Sequence, residues 1–186
     1  MIPGMSFTIT RLDTKFPEPE FSALRRVVFA QIERASPEWA EVVAAEREAA
    51  AQLAVEPVTH APIVRFVALV GDELAGWTSG WAERGNLFYM ASSGVHPEHR
   101  RRGIYAALLD AAIGYAAASG AQAVRSQHSV LNNPVLIAKL KRGFHVSGLS
   151  SSAQMGTLVE LTLHLSTQRE ALWRSRAIAL MEPGPP

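Results

Sequence analysis

Val95–Leu109 reads VHPEHRRRGIYAALL, and this stretch decides the architecture. Before it, LFYMASSGV is rich in β-forming side chains and ends at Val95, so a strand stops there. Pro97 and three consecutive arginines, Arg100, Arg101 and Arg102, make a loop. Gly103 then opens a nearly all-apolar helix. The first turn of a helix has N–H groups without intrahelical partners, and its dipole places partial positive charge there. A basic, glycine-containing loop just before that turn makes an anion site best suited to phosphate.

Working outward, the segment on the N-terminal side reads as a three-strand meander. Ile63–Gly71 is a strand, Gly71-Asp72 a turn, Glu73–Glu83 a second strand, Arg84-Gly85-Asn86 a turn and Leu87–Val95 the third strand. In the second strand Trp77, Ser79, Trp81 and Glu83 share a face by the period of two. Gly94 signals a bulge or a close backbone approach. Farther upstream, Ser6–Leu12 is a strand, TKFPEPEF a link and Phe21–Ile32 a helix. Ser36-Pro37-Glu38 starts a second helix running to Ala54, and Pro57–Pro62 is a loop. Downstream, the helix from Gly103 stops at Gly120, and Ala123–Val130 is a strand. The intervening helix makes that strand parallel to the third meander strand. Asn132-Asn133-Pro134 opens a helix that ends at Gly143-Phe144. His145–Gln154 is a weak strand, Gly156–Ser166 a strong one, Thr167–Leu180 a last helix and EPGPP a tail.

The composition restricts the chemistry. The chain has 186 residues, 48% hydrophobic and 19% charged, which suits a soluble globular domain. A net charge of +1 argues against bulk attraction to nucleic acid. There is no cysteine, so disulfides, thiolate nucleophiles and Cys-based zinc sites are excluded. MIPGMSFTIT has no basic region followed by an apolar run, and Ile104–Ala118 is too short to span a bilayer. The expectation is a cytoplasmic protein, monomer or homodimer, with no membrane or nucleic-acid partner. His60, His96, His99, His145 and His164 are scattered without helical pairing, so no metal site is expected.

Two motifs at a fixed distance carry a resemblance. Val95, Pro97, Arg100, Gly103 and Tyr105 resemble V-x-P-x-x-[RQ]-x-x-G-x-[GA], and Asn132-Asn133-Pro134-Val135 with Gly143-Phe144 resembles N-x-P-M…G-F. One helix and one strand separate them. Together they resemble the GNAT superfamily of acyl-CoA-dependent N-acyltransferases. The order of elements agrees from Ser6 to Ser166, and the motifs occupy Val95–Phe144. The implied fold is an α/β (α+β) mixed sheet, β-αα-βββ-α-β-α-ββ, with an added C-terminal helix. The implied domains are an acyltransferase unit over residues 1–166 and a helix with a frayed tail over 167–186.

The resemblance implies acetyl-CoA as cosubstrate. Ser93, Gly94 and Val95 would pair with the pantetheine arm and hold the developing oxyanion. Backbone amides from Arg101 through Gly103, Ile104, Tyr105 and Ala106 would hold the diphosphate, with Arg100, Arg101 and Arg102 adding charge and Asn132 nearby. Splaying of the meander strand from the next parallel strand would admit the thioester. His128, four residues before Asn132, is the first candidate for a base and Glu83 the second. Trp81 and Tyr89, with Trp77, are candidates for an amine pocket or for core packing.

Three residues depart from the pattern. Tyr105 replaces a small residue, pointing either inward or at the cosubstrate. Gln127 stands where some members carry a glutamate base. Lys139 stands where many carry a tyrosine that protonates the leaving thiolate, and its plain reading is a solvated helix residue. The function implied is transfer of acetyl from acetyl-CoA to a primary amine of a small molecule or peptide by direct attack. The alternatives are a non-catalytic acyl-CoA-binding or regulatory module on the same fold, and a phosphate- or nucleic-acid-binding module using Arg100–Arg102 alone.

Overall fold

A computed structural model describes residues 6–35, 41–46, 48 and 61–177. Seven strands form one mixed sheet in the order β1-β2-β3-β4-β5-β7-β6. They are β1 (Thr8–Leu12), β2 (Val64–Val70), β3 (Glu73–Glu83), β4 (Leu87–Val95), β5 (Ala123–Ser129), β6 (His145–Ser152) and β7 (Gly156–His164). The helices are α1 (Glu20–Ala35), α2 (Ile104–Ala118), α3 (Asn133–Leu140) and α4 (Thr167–Ala177). Residues 41–46 are also helical, while the expected helix start at Ser36-Pro37-Glu38 and most of the run to Ala54 lie outside the described residues. So do His60 and the tail.

All strand pairings are antiparallel except β4 with β5, as the intervening helix requires. Alternation along the strands divides the core between two faces. On one face, Phe66 and Ala68 of β2 and Val95 of β4 pack with Ile104 and Leu108 of α2. Phe88, Met90 and Val124 continue this face against Leu109, Ala112 and Phe144. On the other, Val67 and Trp77 pack with Leu24, Val28 and Phe29 of α1, whose Phe29 ring meets Trp77 edge-on. α4 packs on β7 and stacks Trp173 on His145 with ring centroids 3.6 Å apart.

Two glycines shape β4. The register slips between Ser79 and Gly80, where Ser79 faces Ser92 and Gly80 faces Met90, so Ala91 is an extra residue bulging from β4. The bulge lies here, and Gly94 is instead a close approach: a Cβ on it would overlap the Trp77 ring and come within 2.8 Å of Val28. A Cβ on Gly80 would overlap the Tyr89 carbonyl and come within 2.8 Å of the Phe88 ring.

The backbone at Tyr89 cannot yield as a side chain can. Gly80→Ala is therefore expected to lower the unfolding free energy by about 1–3 kcal/mol or more. Gly114, in α2 with open space around it, gives the opposite sign: Gly114→Ala is expected to stabilise by about 0.5–1 kcal/mol. Urea midpoints of the two variants check both.

Candidate functional site

The loop between β4 and α2 turns on two left-handed residues. Pro97–His99 forms a single 3-10 turn, Arg101 has φ 60° and Gly103, the helix N-cap, has φ 83°. Gly103 is needed for that φ, and nothing lies within 4 Å of where its Cβ would be. No side chain caps α2 and its first turn holds no acid. The first intrahelical bond is donated by Ala107 N–H to Gly103 O at 3.0 Å, so the amides of Ile104, Tyr105 and Ala106 precede the helical ladder. Turned N–H groups at the positive end of a dipole, with Arg100, Arg101 and Arg102 exposed around them, form an anion cradle. Arg100 folds back and donates from Nε to the Val95 carbonyl at 3.2 Å, fixing the loop to the end of β4.

The cradle stands at the mouth of a gap. β4 and β5 pair only at Leu87–Ala123, Phe88–Val124 and Tyr89–Arg125. Beyond these pairs β4 continues to Val95 and β5 to Ser129 with no ladder between them. Ser93 and Gly94 lie on this unpaired stretch, with Ser93 Oγ 2.8 Å from Thr78 Oγ1 across β3. The residues in place fit an extended, amide-rich arm ending in a diphosphate: an unpaired strand edge for the arm, and an uncapped helix start with an open glycine for the phosphates.

On the α2 side of the gap, Met90 and Ser126 are the first residues past the last pair, and Lys139 of α3 reaches across both. Its Nζ donates to Ser126 Oγ at 2.7 Å and contacts Met90 Sδ at 3.7 Å. It also lies 4.8 Å from the centre of the Phe144 ring. Lys139 is 1% exposed, so the solvated reading is overturned. α3 turns Ile137 and Leu140 outward, 53% and 47% exposed, and its lysine inward. Among the described residues no carboxylate pairs with Nζ. Burial without a counter-ion lowers its pKa from 10.5 to about 7. Ser126 Oγ also sits 3.1 Å from His128 Nε2. Burial, then the charge on Lys139, push His128 down from 6.5 to about 3, so the ring is neutral near neutrality and its Nε2 accepts from the serine hydroxyl in the matching tautomer.

The opposite face of the gap is polar and aromatic. Trp81 and Tyr89 lie side by side with centroids 5.2 Å apart. Arg125 stands between Glu83 at 3.9 Å and Glu160 at 3.5 Å. Tyr89 donates to Gln127 Oε1 at 3.2 Å, and Gln127 Nε2 donates to Glu160 at 2.8 Å and Ser150 at 3.2 Å. Burial, then Glu83, raise the Tyr89 pKa, so the phenol stays protonated and a donor.

The structure thus gathers Ser93 to Ala106 around the gap and its mouth, and Trp81, Glu83 and Tyr89 on one wall. It separates the two candidate bases: His128 points to the α2 side and Glu83 to the α1 side. Tyr105 points inward, packing against both clusters on the α2 face, with its buried hydroxyl unpartnered among the described residues and its pKa raised by burial. Asn132 is exposed at the start of α3, its side chain making no cap hydrogen bond. Ser126 and Glu160 were not singled out from sequence. The signal for Ser126 was its parity with His128 on β5, two residues apart. Among the described residues no cluster of metal-binding side chains forms, and no helix is long and apolar enough to cross a membrane.

The pKa of His128 makes the fold acid-sensitive. Its folded value lies below its unfolded one, so between about 6.5 and about 3 the unfolded chain binds a proton that the folded chain refuses. This contribution to stability is present above 6.5 and lost as pH falls through that window. His128→Asn is expected to flatten the fall in melting temperature over this range relative to wild type.

Comparisons with known proteins fit this geometry. No curated protein matches the chain by sequence. Among solved structures, the ribosomal-protein-S18-alanine N-acetyltransferase of Escherichia coli aligns with a TM-score of 0.62 at 13% identity, covering 87% of this chain and 96% of that one. A Bacillus subtilis acetyltransferase in complex with CoA gives 0.59 at 16% identity, covering 87% and 100%. Nourseothricin acetyltransferase gives 0.52 at 23% identity over 56% of this chain, which spans 66% of that protein. These likenesses concern the fold. The family model for the acetyltransferase (GNAT) family matches residues 27–144, a span holding the meander, the arginine-rich loop, the gap and α3. That match covers more than half of the chain, and the chain belongs to the acetyltransferase (GNAT) family.

Proposed function

We propose that the chain transfers an acetyl group from acetyl-CoA to a primary amine of a small molecule or peptide by direct attack. The observation that carries this reading is the β4–β5 gap with the phosphate cradle at its mouth. The cosubstrate supplies an activated acyl carbon, and the chain's residues do the rest. The edge of β4 at Ser93, Gly94 and Val95 pairs with the pantetheine arm, and its N–H groups face the oxygen on which charge develops. Amides from Arg101 to Ala106 hold the diphosphate, with Arg100, Arg101 and Arg102 adding charge. Asn132 borders the gap at the start of α3.

The two walls divide the proton chemistry. An ammonium has no lone pair, so the acceptor must lose a proton before attack. Glu83, on the wall with Trp81 and Tyr89, takes that proton directly or through water. The aromatic faces and the carboxylates suit an acceptor that arrives as a cation. On the other wall Lys139, as the ammonium, protonates the departing sulfur. Ser126, itself bonded to His128, holds its Nζ in place.

Thiol release from acetyl-CoA across a panel of primary amines tests the reading. Turnover with at least one amine is expected, and Lys139→Met should lower kcat by about 100-fold with little change in the KM for acetyl-CoA. Because Lys139 must be protonated to act as the acid, its contribution should decline as pH rises through about 7. Binding of acetyl-CoA without release on any amine would favour the non-catalytic module.

A further inference from the structure

Lys139 is an amine already inside the gap. Its Nζ bridges Met90 of β4 and Ser126 of β5, the first residues after the parallel ladder ends. An acyl group led along the β4 edge into the vertex of the gap is brought to this nitrogen. The groups that face Nζ are Ser126 and His128 from β5, Met90 from β4 and Phe144 beyond α3; His128 is the titratable one among them. With a neutral imidazole and no carboxylate nearby among the described residues, the ammonium is supported only by the Ser126 hydroxyl and the Phe144 ring, and a share of Lys139 is neutral near pH 7. An amine without its proton is a nucleophile toward a thioester.

We propose that Lys139 is a self-acylation site: when no acceptor amine is bound, its Nζ takes the acyl group from the acyl-CoA in the gap. This rests on the reading of the gap as the acyl-CoA slot. The neutral Nζ attacks the thioester carbonyl carbon and an N–C bond forms. The C–S bond breaks, the CoA sulfur leaves with the electron pair, and it takes up the proton that Nζ gives off. The products are an amide on Lys139 and free CoA, with no other reactant consumed. An amide does not titrate and cannot protonate a leaving thiolate. The modified chain has lost its acid, and an idle enzyme is switched off by its own cosubstrate.

The sequence makes the test simple, because Lys15, Lys139 and Lys141 are the chain's only lysines. Lys141 is exposed two residues from Lys139, so it reports uncatalysed acetylation under the same conditions. The full chain is incubated with acetyl-CoA and no amine, and peptide mass spectrometry is read over time. Acetylation is expected to concentrate on Lys139, approach one group per chain, and slow about tenfold for each pH unit below 7. Turnover measured afterwards should fall in proportion to the modified fraction. An added acceptor amine should suppress the adduct, and Lys139→Arg should abolish it.

Acetyl on Lys15 and Lys141 without enrichment on Lys139 overturns the inference. So does an acetyl group on Ser126, or an unmodified chain that nevertheless binds acetyl-CoA and acetylates amines; that last outcome leaves the proposed function standing. Failure to bind acetyl-CoA at all removes both. The wild-type measurement decides the matter even if the Lys139 variant does not fold.

Discussion

A strand inside a sheet needs hydrogen-bond partners on both edges, and β4 loses one of them after Tyr89. The cause is local. Ala91 is one residue more than β3 can pair, and the bulge bends β4 away from β5. Gly80 lets this happen, since any side chain there would strike the Tyr89 carbonyl. The remaining pieces are placed by this departure. The freed edge of β4 runs toward an uncapped helix start, the α2-side wall receives Lys139, and the α1-side wall receives Trp81, Tyr89 and the carboxylates.

The two walls differ in dielectric as well as in residues. The α2 side is buried, and it holds a lysine with no counter-ion among the described residues and a histidine kept neutral. Such groups destabilise a fold unless they are held, and here one serine hydroxyl bonds to both. The α1 side is half-solvated and charge-balanced by Arg125 between two carboxylates. This contrast suits the proposed reaction, which must remove a proton from a cationic amine on one side and return one to a thiolate on the other.

Much of this was legible in the sequence. The glycine after three arginines placed the start of α2, the Asn-Asn-Pro placed the start of α3, and the helix between the two strands placed their parallel pairing, because turn and cap residues act locally. The split of β4 from β5 followed from the resemblance, and the pairing register shows it. At Gly94 the sequence left a bulge and a close approach open, because a glycine in a strand signals both equally, and the packing of Trp77 and Val28 against it selects the close approach. Lys139 was least legible. Helical periodicity puts charge outside and apolar residues inside, and α3 reverses this at Ile137, Leu140 and Lys139. The pairing of Ser126 with both Lys139 and His128 depends on tertiary approach, which no local pattern encodes.

Everything proposed for the chemistry depends on the gap between β4 and β5 being the acyl-CoA slot. A crystal structure of the chain with acetyl-CoA tests it most directly. The pantetheine arm is expected between residues 90–95 and 126–129, the diphosphate on the amides around Gly103, and the thioester within reach of Lys139 Nζ. A ligand bound elsewhere, with β4 and β5 still bridged by Lys139, would contradict it.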